Sequence, residues 1–180
     1  MQIEKIEPRT ITYRLSPDKE DKEYYSCMWV RYIFDCDNGR LNINSDAGDF
    51  SYGWGANVHE DFMHLMSRVG EEYLLNKLSS RAIFNVSKSK TETIKNIKKY
   101  GAEYLGINDQ EQMDSVISRI RDIDENVGEE GFCQEISDIL PGIEWEDMEI
   151  EKDYPYGAKV VVGMFVKYLQ PKIREEFGKN

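Results

Sequence analysis

Histidine occurs twice and cysteine three times in this 180-residue chain, which removes most ways of building a metal centre or a disulfide framework. Cys27, Cys36 and Cys133 are odd in number, widely spaced and form no C-x-x-C pair, so they read as free, mostly buried thiols in a reducing compartment. His59 and His64 stand five residues apart. On a helix that is about 140° of rotation, so the zinc-protease spacing of i and i+4 is not met and no metal is expected. The longest apolar run, Val160 to Val166, is broken by Gly163 and falls far short of the ~20 residues that span a bilayer. The first residues, Met1-Gln2-Ile3-Glu4-Lys5, lack the apolar stretch of a signal peptide. G-x-S-x-G, the Walker phosphate loop and the dinucleotide fingerprint G-x-G-x-x-G are absent, so no cofactor is expected. Asp35-Cys36-Asp37-Asn38-Gly39 has its glycine one place too early for a calcium loop. Asp18, Glu20, Asp21 and Lys22 carry the letters of a nuclease site, but they crowd into a charged loop without the usual separation between acids.

What is present is acid. Net charge is −11, and residues 105–153 alone hold 16 acids and 3 bases, a net of −13. Residues 1–80 carry −5, 81–104 carry +4 and 154–180 carry +3. A field of this sign repels nucleic acid and attracts basic proteins, although a merely solubilising surface has the same composition. Apolar residues make up 40% and aromatics 12%, enough for a folded core. The length fits one domain.

The periodicity predicts an α+β fold, with an N-terminal antiparallel meander of three to four strands packed by C-terminal helices. Residues 1–180 read as one domain, strand-rich over 1–56 and helix-rich over 57–180. Thr10–Leu15 is a strand. Tyr24–Asp35 reads as a long strand, apolar on both faces and central in its sheet. Asn38-Gly39 supplies a positive-φ hairpin pair; Arg40–Asn44 returns, and after a turn at Ser45–Gly48 the residues Phe50, Tyr52 and Trp54 share one face. That aromatic ladder is expected in the core, with a contact surface as the alternative. Capping boxes are expected at Asn57–Glu60, Ser89–Glu92 and Asn108–Glu111. They open helices with stripes Phe62/Leu65/Met66/Val69, a basic helix to Tyr100-Gly101, and Met113/Val116/Ile117/Ile120/Ile123. Further helices are expected at Tyr73–Leu78, at Phe132–Leu140 stopped by Pro141, and after Pro155, with Pro171 kinking or restarting the last.

The candidate binding surface is acidic: Asp122, Asp124, Glu125, Glu144, Glu146, Asp147, Glu149, Glu151 and Asp153. If 147–153 is extended, its odd-numbered acids point outward at ~6.6 Å intervals while Met148 and Ile150 point inward, a row comparable in spacing to a nucleic-acid backbone. An edge whose charges discourage aggregation is the plainer reading. The basic helix with Lys88, Lys90, Lys95, Lys98 and Lys99 is expected to pair with the acidic segment or a partner rather than with nucleic acid.

The segment Asn44-Ser45-Asp46 through Tyr52-Gly53-Trp54, then Glu60-Asp61-Phe62, Arg68 and Tyr73-Leu74-Leu75-Asn76-Lys77, resembles small uncharacterised proteins carried by phages and prophages of Gram-positive bacteria. The similarity covers roughly residues 25–105. It carries over no catalytic motif. It implies an accessory protein of a mobile element in the host bacterial cytoplasm, similar to anti-defence and anti-CRISPR inhibitors. The expectation that follows is a non-enzymatic inhibitor whose acidic surface binds a basic host protein, a nucleic-acid-binding nuclease, without touching nucleic acid or membrane itself. The rival expectations are an enzyme acting on nucleotides or nucleic acid through an unfamiliar site, and a structural or regulatory phage accessory protein.

Overall fold

Alternating apolar and polar residues between Thr10 and Gly53 form one antiparallel sheet. A computed structural model describes residues 1, 3, 5–55, 61–104, 106–107, 109–144 and 147–178. Strands β1 (Thr10–Leu15), β2 (Val30–Asp35), β3 (Arg40–Ser45) and β4 (Phe50–Gly53) pair in sequence order. The pairing Val30↔Ser45, Tyr32↔Ile43 and Phe34↔Leu41 puts Val30, Tyr32, Phe34, Leu41 and Ile43 on one face, fully inside, while Ile33 on the opposite face is half-buried. The strand expected over Tyr24–Asp35 is shorter than its apolar run. Its first half is turn, because Ser26 and Cys27 close back onto the Glu23 carbonyl and the Asp46 carboxylate accepts the amides of Met28 and Trp29. The β2–β3 connection also differs from a two-residue hairpin. Asp35 pairs with Arg40 across four residues, and only Gly39, at φ 58°, is left-handed.

The chain gathers into two compact units, one formed by residues 1–81 and 154–180, the other by 82–153. In the first, the sheet is packed by α1 (Phe62–Met66), α2 (Glu71–Leu78), α6 (Tyr156–Met164) and α7 (Gln170–Phe177). The capping box expected at Asn57–Glu60 lies outside the described residues; the cap of α1 is Asp61, which accepts from the Met63 amide. A π-helical turn, Phe165–Leu169, joins α6 to α7. It falls where a regular helix would press the Pro171 ring against the carbonyl four residues back. Two polar side chains inside this unit are matched: the Tyr32 hydroxyl donates to the Val161 carbonyl at 2.7 Å, and the buried Gln170 amide donates to the carbonyls of Met66 and Val69. The aromatic ladder is half-buried rather than enclosed. Trp54 packs on Tyr52 and Phe62 and donates its indole N–H to the Tyr73 hydroxyl at 2.9 Å.

The second unit is three helices and a ribbon: α3 (Val86–Tyr104), α4 (Gln110–Asp122), α5 (Glu129–Ile139), and the pair β5 (Ile83–Phe84) with β6 (Lys152–Asp153). The ribbon ties the entry and exit of this segment together, with the Ala82 amide donating to the Asp153 carbonyl at 3.1 Å. Adjacent ends are what an inserted unit requires. Its core is Phe132, Ile136, Ile120, Ile97 and Ile123. The cap expected at Ser89 is corrected to Asn85, whose side chain accepts from the Lys88 amide. Ser89 is instead buried inside α3 and accepts from the Glu151 amide at 2.9 Å. The box expected at Asn108 shifts by one: Asp109 caps α4 through the Gln112 amide.

Candidate acidic interface

The two units share the net charge very unequally. Residues 82–153 contain 18 acids and 8 bases, a net of −10, whereas residues 1–81 and 154–180 contain 16 acids and 15 bases, a net of −1. The acidic surface is therefore a property of one compact body.

Within that body the expected site residues divide by what they touch. Asp122 ends α4 and is exposed; Glu144 and Asp147 are exposed in the segment after α5, where the Asp147 amide closes a turn on the Glu144 carbonyl. None of these three has an ion pair among the described residues. Asp124 is turned inward on its own loop, accepting from the amide and side chain of Asn126, which hold its carboxyl below the ordinary value. Glu125 accepts from the Lys90 ammonium at 2.7 Å and the Ser87 hydroxyl at 2.6 Å, and both lower its pKa. Glu146 lies outside the described residues.

The row expected from Asp147 to Asp153 is tied to α3 over most of its length. Glu149 is half-buried and accepts from the Asn96 amide group. Glu151 is held by backbone bonds, its amide on Ser89 and its carbonyl accepting from Asn85. Asp153 is half-buried against Lys88 (3.7 Å) and Asn85 (3.4 Å). Met148 is buried and Ile150 is packed against the core. Lys95 sits above its ordinary pKa, first because of Glu92 and further because Glu149 and Glu151 lie near it. The basic helix thus organises the acidic segment.

Two features of α3 escape a reading of the sequence. Lys90 is 6% exposed; its ammonium donates to the carbonyls of Arg121 (3.2 Å) and Ile123 at the C-terminal end of α4, as well as to Glu125. Its place on the buried side of α3, beside Ser89, Thr93 and Ile97, was the available signal. The second is a cavity of about 630 Å³ between α3 and residues 142–143 and 147–149. Ile97, Ile143 and Met148 supply its apolar wall, and Asn96, Asp147, Glu149 and Thr93 its polar groups.

Among the described residues no helix is long and apolar enough to cross a membrane, and no cluster of His, Cys, Asp and Glu could hold a metal ion. The thiols are single: burial raises Cys27 to about 11, and it also raises Cys36 and Cys133. No curated protein and no solved structure matches the chain. A phage family, phiTE_072, matches residues 1–175, a wider span than the 25–105 over which the resemblance was legible. With nearly the whole chain covered, the protein belongs to that phage family.

Proposed function

We propose that this phage protein acts by binding rather than by catalysis, and that the inserted unit 82–153 presents an acidic face to a basic host protein. The observation that carries the reading is the confinement of a −10 net charge to one compact unit beside a nearly neutral one. Such a field speeds encounter with a basic surface and disfavours nucleic acid. The partner that fits is a nuclease of host defence whose nucleic-acid channel is lined by Lys and Arg; the carboxylates compete there with phosphate. The exposed acids Asp122, Glu144 and Asp147 are the ones free to do so, while Glu149 and Asp153 support the surface from behind.

The test is capture from bacterial lysate with two baits, the wild-type chain and a triple reversal of Asp122, Glu144 and Asp147 to Lys. A nuclease held by the wild type, released by added nucleic acid and ignored by the reversal supports the reading. Release should also be steep in salt, since the Debye length falls from ~10 Å at 0.1 M to ~3 Å at 1 M. Equal retention of that nuclease by both baits refutes it.

A further inference from the structure

We propose that two copies of this chain pair through the outer edge of β1, joining their four-stranded sheets into one continuous antiparallel sheet. The phase of the ladder identifies the open backbone groups. The Cys36 amide donates to the Arg9 carbonyl at 2.9 Å, one step beyond the register Thr10↔Asp35. Opposed residues in an antiparallel pair alternate between exchanging both bonds and exchanging neither. Residues 11, 13 and 15 therefore bond to β2, and Thr10, Thr12 and Arg14 turn their amides and carbonyls away from the sheet. No backbone group meets them among the described residues. The edge is also unguarded. β1 runs six residues in unbroken register without proline, lysine or bulge, and Thr10, Thr12 and Arg14 are exposed; those omitted features are what keeps edge strands apart. The opposite edge, β4, is four residues long and is followed by the Trp54–Tyr73 bond to α2.

Two observations select a second copy as the occupant. First, the open residues are self-complementary. A two-fold axis at Thr12 sets Thr10 of each copy against Arg14 of the other, so three residues from each side exchange six backbone bonds. Second, the charges at the two ends of the exposed face match when the strands run antiparallel. Arg14 lies directly opposite Arg31, a like-charged cross-strand pair that destabilises a lone sheet. At the other end Thr10 lies opposite Asp35. The two-fold pairing brings the arginine end of one copy to the aspartate end of the other, where Arg14 can extend over Thr10 to Asp35. On the inner face the half-buried Ile11 and Tyr13 of one copy meet Tyr13 and Ile11 of the second. The unit that bears β1 carries a net charge of only −1 and so opposes this approach little. The pairing is independent of the basic partner proposed above, since it uses no acid of the second unit. A strand about 20 Å long buries less than a permanent dimer does, which places the association in the micromolar to millimolar range.

Sedimentation of the full chain across that range should show a concentration-dependent dimer, and amide exchange at Thr10, Thr12 and Arg14 should slow as the dimer fills. Thr12→Pro removes an amide that the monomer's sheet does not use, and an edge strand tolerates proline with its nitrogen outward. Dilute, this variant should melt like the wild type; concentrated, it should associate about tenfold more weakly or worse. Arg14→Glu, an exposed change, should also weaken association, by setting like charge near Asp35. Thr12→Cys should give a disulfide-linked dimer with oxidised glutathione, because opposed residues of a bonded pair stand about 5.5 Å apart at Cα, within disulfide reach. The parent chain and Ser51→Cys, on β4, should not. A wild-type chain that stays monomeric at millimolar concentration overturns the proposal. So does a dimer that Thr12→Pro and Arg14→Glu leave intact, or equal cross-linking from positions 12 and 51.

Discussion

Replacing Lys90 by methionine keeps an unbranched side chain of similar reach and removes only the ammonium. That ammonium satisfies two backbone carbonyls, those of Arg121 and Ile123, where α4 ends and its last carbonyls have no intrahelical partner. Hydrogen bonds from a charged donor contribute about 1.5–3 kcal/mol. The ammonium has an N–H for each carbonyl, but methionine recovers some apolar burial, so a net loss of about 2–3 kcal/mol is expected. The pairing with Glu125 adds little, because that carboxylate is 59% exposed. With a urea dependence of about 1 kcal/mol/M for a unit this small, the midpoint should fall by about 2–3 M. Amide hydrogen exchange resolves the effect by unit: protection should drop at Ile97, Ile120 and Ile136 and persist at Phe34, Leu41 and Ile43. Buried ion pairs are sometimes replaced by apolar groups with a gain in stability. An equally or more protected Lys90→Met unit would refute the view that this lysine holds the end of α4.

Gly157→Ala places a methyl group 2.0 Å from the Ala47 carbonyl oxygen, which is backbone and cannot swing aside; overpacking of this kind costs about 1–3 kcal/mol, and an unchanged melting temperature would refute the close approach of α6 to the 45–48 turn. Asp61 is held below its ordinary value of 3.8, first by its hydrogen bond from Arg9 at 2.8 Å and also by the Met63 amide. A depressed folded pKa contributes stability that is complete above 3.8 and lost as pH falls through the lower folded value. Asp61→Asn should therefore flatten the acid limb of a melting-temperature profile below pH 4 or so; identical acid limbs in the two proteins would contradict it.

Much of the first unit was legible because its signals are local or alternate with period two. Thr10–Leu15 is a strand at its expected bounds, and β2 is central as expected, although Tyr25, Cys27 and Trp29, which supplied its second apolar face, lie before the strand. The Tyr24–Trp29 stretch misled because aromatic residues such as Tyr24, Tyr25 and Trp29 favour a strand whatever their partner. Here the neighbouring Asp46 carboxylate supplies the acceptors and turns the chain instead. Helix caps were found to within a residue where the side chain caps its own helix, as at Asp109. They failed at Ser89, whose letters fit a capping box but whose hydroxyl serves the amide of Glu151, 62 residues away.

By itself the sequence determined the α+β order, the free thiols and the concentration of acid between residues 105 and 153, because composition and periodicity are one-dimensional quantities. The tertiary structure decided that residues 154–180 complete the first unit, so that their positive charge neutralises the N-terminal segment and leaves the acid alone in the second. It also decided which carboxylates are engaged. Glu149 and Asp153 look equivalent to Asp122, Glu144 and Asp147 in the chain, yet the first two lie along α3, where their carboxylates find Asn96, Asn85 and Lys88. Burial and pairing depend on neighbours dozens of residues away, and no local pattern of letters records which of two acids will meet them.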